Sequence, residues 1–516
     1  MVLNKGLSRA VGAVAVVTVL GQLLNVGQEM AIAAFFGTSA ATDSYKMALV
    51  IPTMLTLELA TIIGAVVIPV FHEQQKFLNP SEIFSVGFNF IATVAFTIAA
   101  AVYLFSPYLI NIVARGFSEE TRVMASFLLR VLSFGVFFSL LSLFLSNILN
   151  INKYFVFPAL QRIFLYAGTL TGLFLIGRVY GIAGAAFGFV IGLGVFVIIQ
   201  IALVLKKIKY SFSFGFVHPV VQSMVILAAP LFFYSILNQL NVLVEKRIVS
   251  GFEPGSLSAL DFAFKLSAFF INFLVVGINT VLFPTLSKSF VSDDHERISA
   301  IFHQLMNGLA AIIIPTTVLF VMLGKPIVHL VFERGSFDAR STALTSKALS
   351  YYAIGLIGQG CVSSLPRFFQ AFRKNATLLQ MGAVAVFFNI AAMLVLSHVF
   401  GFIGIAGATS LTALFYSVLL FSRIRSEVKF DGRDLLRTIF KIVLATSGFG
   451  IVLSLSNRGF QNLRLFSGLP ENFLEVVAPI ILGGTIYIVL SKVLNVEIVG
   501  VMIQRMMQFV ARRDDQ

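Results

Sequence analysis

The residues able to do chemistry in this chain are charges placed where charges are costly. Glu29, Glu58, Arg130, Arg162, Glu245, Lys246, Arg247, Asp261, Lys265 and Arg367 fall inside long apolar runs, and Asp43 and Lys46 stand where one such run begins. An ionised side chain within a bilayer-spanning helix costs roughly 2.5–3.5 kcal/mol on insertion scales, so such residues mark cavities, ion pairs or transport paths. Near the end of a span, a long cation can instead snorkel to the headgroups. That alternative weighs most for Arg130, Lys246 and Arg247, whereas Glu58 and Lys265 lie further in. Cations inside a bundle suit an anionic cargo such as a diphosphate, which Arg and Lys hold through charge-assisted hydrogen bonds.

Nothing points to bond-making chemistry. The chain has no Walker motif, no His-rich cluster and no Ser-His-Asp set, its six His residues are scattered, and Cys361 is its single cysteine. The expectation is therefore no enzyme, no cofactor and no metal site, with energy drawn from an ion gradient, a membrane potential or the cargo's own gradient.

The elements that must position these charges are membrane helices. Hydrophobic residues make up 58% of the chain and charged residues 12%, about half the charged share usual in soluble domains. Uncharged runs such as 83–114, 131–152, 179–205 and 219–244 exceed the roughly 20 residues that span a bilayer. Fourteen spans are expected, near 10–35, 44–71, 84–112, 125–150, 155–177, 182–205, 219–249, 257–286, 299–323, 343–371, 376–398, 403–422, 436–456 and 473–494. The fold class is an all-α polytopic membrane protein, and the first apolar run reads as a retained helix, not a signal peptide. Pro52, Pro69, Pro158, Pro230, Pro284, Pro315 and Pro366 are expected to break or kink helices. The net charge of +14 reflects basic cytoplasmic loops and not a nucleic-acid surface. Placing both termini in the cytoplasm gives the inner loops roughly twice the Lys and Arg of the outer ones.

The chain also repeats itself. Gly37-Thr-Ser-Ala-Ala-Thr-Asp43 is echoed by Gly255-Ser-Leu-Ser-Ala-Leu-Asp261, Val66–Pro69 by Val281–Pro284, and Gly181–Gly184 by Gly401–Gly404, at nearly one offset. This is the mark of internal duplication. Corresponding positions lie six spans apart, so both halves run the same way through the membrane, related by a pseudo-twofold along its normal. The expected organisation is an N-lobe over 1–210, a C-lobe over 211–430, two appended spans over 431–495 and a cytoplasmic amphipathic tail over 496–516. Asp43 and Asp261, each near the start of a span, are expected to cap their own helices. Gly37 and Gly255 are expected to be structural or gating positions. The Gly-rich stretches 181–194 and 401–407 are expected to allow close helix packing.

Several stretches resemble one family. Ala33-Ala-Phe-Phe-Gly-Thr-Ser-Ala-Ala-Thr-Asp43, Ile68-Pro69, Ala259-Leu-Asp-Phe-Ala-Phe-Lys265, Val281-Leu-Phe-Pro-Thr-Leu-Ser287 and Phe332-Glu-Arg-Gly-Ser-Phe337 are similar to segments of the MurJ/MviN lipid II flippases. The likeness runs from about residue 10 to 425. It implies the MOP transporter superfamily fold, two lobes around a cavity, and movement of a polyprenyl-diphosphate-linked saccharide across the bacterial inner membrane. The implied partners are that lipid-linked glycan, the bilayer and a coupling ion, and the chain is expected to act as a monomer.

The chain departs from the family where the family carries cations. Arginines of the first span appear as Gln22 and Gln28, the adjacent Asp as Glu29, an Arg pair of the second span is replaced near Thr56-Leu57, and the span-8 Arg appears as Lys265. Asp43, Lys46, Glu29, Glu58, Arg162, Lys265 and Arg367 are thus the cavity or cargo-binding candidates, with Lys46, Lys265, Arg162 or Arg367 compensating for the missing arginines. Gly37, Gly255 and Asp261 are the structural candidates. The alternatives are a flippase for another lipid-linked glycan, a cation-coupled multidrug antiporter of the same superfamily, and a non-transporting scaffold.

Overall fold

A computed structural model describes residues 5–212, 215, 217–292, 294–428, 430–460 and 471–500, with side chains placed for most of them. The expected tail past 500 lies outside the described residues. All regular structure among the described residues is helical: α1 (Lys5–Phe36), α2 (Ala40–Gln74), α3 (Pro80–Val113), α4 (Glu119–Ile151), α5 (Val156–Ala159), α6 (Gln161–Leu175), α7 (Gly177–Tyr180), α8 (Ala183–Leu205) and α9 (Pro219–Val249). There follow α10 (Ser256–Val291), α11 (His295–Phe332), α12 (Ala339–Ile354), α13 (Leu356–Ser364), α14 (Pro366–Ala371), α15 (Asn375–Phe400), α16 (Ile403–Arg425), α17 (Gly432–Phe460) and α18 (Glu471–Val493).

Ten of these are long and apolar enough to cross a membrane. The other four expected spans fall on α5–α7, on α9, on α10 and on the broken run α12–α14. Exposed Phe96, Leu104, Val195, Phe387 and Val418 belong in hydrocarbon, where a large apolar side chain needs no protein cover. Prolines act unevenly. Pro52 and Pro69 lie inside α2 and Pro315 inside α11 without ending either helix. The breaks fall after Pro158 in α5 and before Pro366, which opens α14. Lost amide hydrogen bonds are tolerated in a spanning helix when neighbours re-satisfy the freed carbonyls.

Two compact units divide the chain. The first holds residues up to Ser258 plus Arg334–Phe337, and the second holds Ala259–Glu333 and everything after Asp338. The first unit runs on to Ser258 because α9 packs on α2 and α3. Met224, Val220 and Val221 of α9 join the core built by Val66, Val67, Phe84, Phe144 and Leu145.

In the first unit α6 and α8 meet through glycines. A Cβ on Gly172 would lie 2.5 Å from Gly188 Cα, and one on Gly168 would lie 2.7 Å from Gly192 Cα. Backbones at that separation gain dispersion contact that a membrane interface needs, lipid offering no hydrophobic drive between helices. α4 opens with Ser118 accepting the Thr121 amide at 3.3 Å, followed by Glu119 and Glu120. Cap and acidic first turn both suit the positive end of the helix dipole. In the second unit Gly404 packs against the Leu396 carbonyl, where a Cβ would come within 2.1 Å, and Tyr487 donates its hydroxyl to the Ala311 carbonyl at 2.7 Å.

Candidate functional site

Three stretches that stood out in the sequence converge in the first unit. α1 ends at Phe36, and Gly37 just past it has a left-handed φ of 59° and an amide that bonds the Ala33 carbonyl at 2.7 Å. Glycine takes this conformation without a Cβ penalty. Thr42 Oγ1 donates back to the Gly37 carbonyl at 2.8 Å, and Ser39 caps α2 by accepting the Thr42 amide at 3.4 Å. The segment Arg334–Phe337 lies against the end of α1. Ser336 donates its amide to the Ala34 carbonyl at 2.8 Å. Gly335, with φ of 59°, passes so near that a Cβ would lie 2.3 Å from the Ala34 oxygen. Gly255, with φ of 94°, packs on the Thr38 carbonyl in the same manner.

Asp43 completes the cluster, and it corrects one expectation. It does not cap its own helix, because α2 starts at Ala40 and Ser39 already fills that role. Its carboxylate instead accepts the Gly255 amide at 2.7 Å and the Ser258 amide at 2.8 Å. These are free N–H groups at the opening of α10, which an anionic acceptor satisfies. Asp43 is 2% exposed, so both bonds are shielded from water. Asp261 differs as well. It lies inside α10 and pairs with Lys265 one turn on, at 3.0 Å.

The remaining candidates separate into pairs. Lys46 donates to Glu29, and both side chains are almost wholly buried. Gln28, next to Glu29, is buried too, and its Oε1 has no hydrogen-bond partner among the described residues. Deeper along α2, Glu58 accepts from Gln239 Nε2 of α9. Arg162 is exposed at the start of α6, its Cβ beside Gly21 of α1. In the second unit Arg367, also exposed, donates to Gln370 at 3.3 Å. Of the cations expected to replace the missing arginines, Lys46 and Lys265 therefore each have a carboxylate beside them.

Sequence reading missed four participants: Ser39, Ser258, Gln239 and the backbone of Gly335–Ser336. Gln239 carried no signal, since a lone amide in an apolar helix is unremarkable by type. Ser258 acts through its amide, which residue type does not report.

A profile described as "Lipid II flippase MurJ" matches residues 32–473. The chain belongs to the MurJ family. Among its relatives, "Probable lipid II flippase MurJ" of Rickettsia prowazekii is 26% identical over 417 residues, 79% of this chain and 82% of that protein. The protein of the same description from Thermotoga maritima is 24% identical over 482 residues, 93% and 95% of the two chains. Among solved structures, "Lipid II flippase MurJ, inward closed conformation" superposes with a TM-score of 0.79 at 24% identity, covering 93% of this chain and 98% of that one. An inward-facing multidrug MATE transporter of the MOP superfamily superposes with a TM-score of 0.67 at 11% identity, covering 78% and 94%. The MurJ fold and the wider MOP fold are thus shared, as the segments quoted from the sequence implied. Two of the segments that carried the resemblance, those ending at Asp43 and at Phe337, lock together here with the Gly255 copy of the internal repeat.

Proposed function

We propose that this chain is a flippase that moves a polyprenyl-diphosphate-linked saccharide, lipid II or a close relative, from the inner to the outer leaflet by alternating access. The observation that carries this reading is the family match over residues 32–473. The buried polar groups of the first unit fit it, because a chain that merely anchored other proteins would not need Glu29, Lys46 and Glu58 within its spans. Both termini face the cytoplasm, so the Asp43 cluster lies at the outer end. The cargo's head crosses through the protein while its tail stays in lipid, which removes the cost of dragging a charged sugar through hydrocarbon. Lys265 contacts the diphosphate in the loaded state, exchanging Asp261 for phosphate oxygens. Asp43 holds the first turn of α10, and its two hydrogen bonds break when the outer end opens.

A second reading is favoured by the cations. Lys46 is engaged by Glu29 and Gln28 stands where the family carries arginine, so the cargo is matched to fewer positive groups than lipid II requires. On this reading the glycan belongs to another envelope polymer.

The deciding experiment expresses the chain in a bacterium depleted of its own flippase and measures lipid-linked glycan exposed on the outer leaflet with an externally added hydrolase. Restored growth and exposure support lipid II as cargo. Exposure of a different lipid-linked glycan alone supports the second reading. Absence of any exposed lipid-linked glycan, with the protein present in the membrane, overturns both. Lys265→Ala performing like wild type removes Lys265 from the binding role.

A further inference from the structure

An open groove of about 730 Å³ lies between the end of α3 and the start of α4, wholly within the first unit. Tyr108 and Asn111 of α3 and Arg122, Ser126, Phe127 and Arg130 of α4 line it. Arg122, Ser126 and Arg130 are four residues apart in turn, so they share one helix face. Arg122 Nη1 donates to Asn111 Oδ1 at 3.1 Å. Arg130 Nε donates to Ser106 Oγ at 3.0 Å, and its guanidinium lies 5.9 Å from the centre of the Tyr103 ring.

Both guanidinium groups are thus oriented by neutral partners, and neither forms an ion pair among the described residues. Glu119 stands at the same groove without pairing to either. The Nη groups of Arg130 have no hydrogen-bond partner among the described residues. A groove with two oriented, unneutralised cations attracts an anion, and the geometry of paired guanidinium groups favours phosphate oxygens.

Depth selects the source of that phosphate. α4 has 33 residues, so it is about 50 Å long against a hydrocarbon core of roughly 30 Å, leaving about 10 Å beyond the core at each end. Arg122 then lies among headgroups, and Arg130 lies roughly 12 Å deeper at 1.5 Å per residue. Side chains on a helix lean toward its N-terminus, which lifts the Arg130 head back toward the interface. Exposed Tyr103, Tyr108 and Phe127 supply the aromatic lining usual at that depth, and exposed Leu104 and Phe105 continue toward the hydrocarbon.

We propose that this groove binds the phosphate of an anionic glycerophospholipid, gripped by Arg122 and Arg130 with its acyl chains along the apolar side chains below. This requires only that α3 and α4 span the membrane, not that the chain flips a glycan. With the termini in the cytoplasm the lipid is one of the outer leaflet.

The test is native mass spectrometry of the full chain titrated with phosphatidylglycerol and, separately, phosphatidylcholine. Wild type is expected to prefer phosphatidylglycerol. R122Q/R130Q is expected to weaken that lipid's binding by about fivefold or more, as loss of two charge-assisted contacts demands, with phosphatidylcholine unaffected. R178Q, which removes one charge elsewhere and so matches R130Q alone, is expected to bind as wild type does. If the double variant does not stay monodisperse, R130Q alone carries the test, with a loss of about threefold. Equal affinity of wild type for both lipids, undiminished phosphatidylglycerol binding in the variants, or an equal loss in R178Q overturns the proposal. None of these outcomes depends on glycan translocation, so the two readings fail separately.

Discussion

The carboxylate of Asp43 accepts the backbone amide of Gly255 at 2.7 Å, across 212 positions of sequence. A second amide, from Ser258, reaches its other oxygen at 2.8 Å. A buried acidic residue placed early in one helix thus serves the opening turn of another, and the duplicated motif supplies both the acceptor and the donors.

Asp43→Asn keeps one acceptor but turns an NH2 group toward an N–H donor. A charge-assisted hydrogen bond contributes about 1.5–3 kcal/mol, so Asn should destabilise by about that amount and Ala by more. Thermal unfolding in detergent measures the order wild type, Asn, Ala. An Asn variant as stable as wild type would mean the contact is without consequence.

Glu29 and Lys46 form a closed pair in a nearly anhydrous setting. Removing one member of a buried pair costs about 3–5 kcal/mol, because the survivor is left as an uncompensated charge. Lys46→Met should therefore fail to accumulate, or unfold at much lower temperature. Glu29→Gln combined with Lys46→Met should recover most of that stability. A double-mutant cycle on unfolding temperature reads the coupling, and additivity of the two changes would refute it.

Gly335 and Gly181 both have φ of 59° and differ in surroundings. A Cβ on Gly181 meets nothing within 4 Å, whereas one on Gly335 meets the Ala34 oxygen at 2.3 Å. Gly181→Ala should cost only the left-handed backbone strain, about 1 kcal/mol. Gly335→Ala should cost that plus displacement of the segment from α1, and should lower complementation in the depleted strain. Equal losses would show that close approach is not what Gly335 provides.

Asp338 caps α12, accepting the Ser341 amide at 2.8 Å. The backbone and side-chain hydrogen bonds from Ser341 hold its carboxyl below the usual carboxylate value of 3.8. A depressed folded value means the stabilisation is fully present above the ordinary carboxylate range. It disappears as pH falls through the folded value, below 3.8. Asp338→Ala should cost about 1 kcal/mol at neutral pH and should lose this acid-side dependence. Unfolding curves at neutral pH and near pH 3, for both forms, check the sign.

Glu58 accepts from Gln239 in the middle of two spans. Glu58→Gln preserves size and an acceptor oxygen while removing the charge. Stability should hold or rise, since the neutral side chain removes the cost of a charge within a span, and glycan exposure on the outer leaflet should fall if the charge serves transport. Unchanged transport would confine Glu58 to a packing role.

Much of the fold was legible because membrane helices answer to local rules. Length, apolarity and the absence of Asp, Glu, Lys and Arg make α8 or α15 a span wherever it is placed, since lipid satisfies no backbone group and the helix must close its own hydrogen bonds. The motif at Gly37, its echo at Gly255 and the run ending at Phe337 were likewise legible, as residue types with special backbone needs.

What those residues touch was decided elsewhere. Asp43 looked like a cap for α2, but whether a carboxylate serves its own helix or another depends on which free amides arrive near it in space. Lys46 and Lys265 looked like cations for cargo, yet each stands beside a carboxylate, Glu29 and Asp261. Hydropathy is a sum over one segment and can be read along the chain. Pairing of buried charges is a property of distance between segments, and only tertiary packing sets that distance.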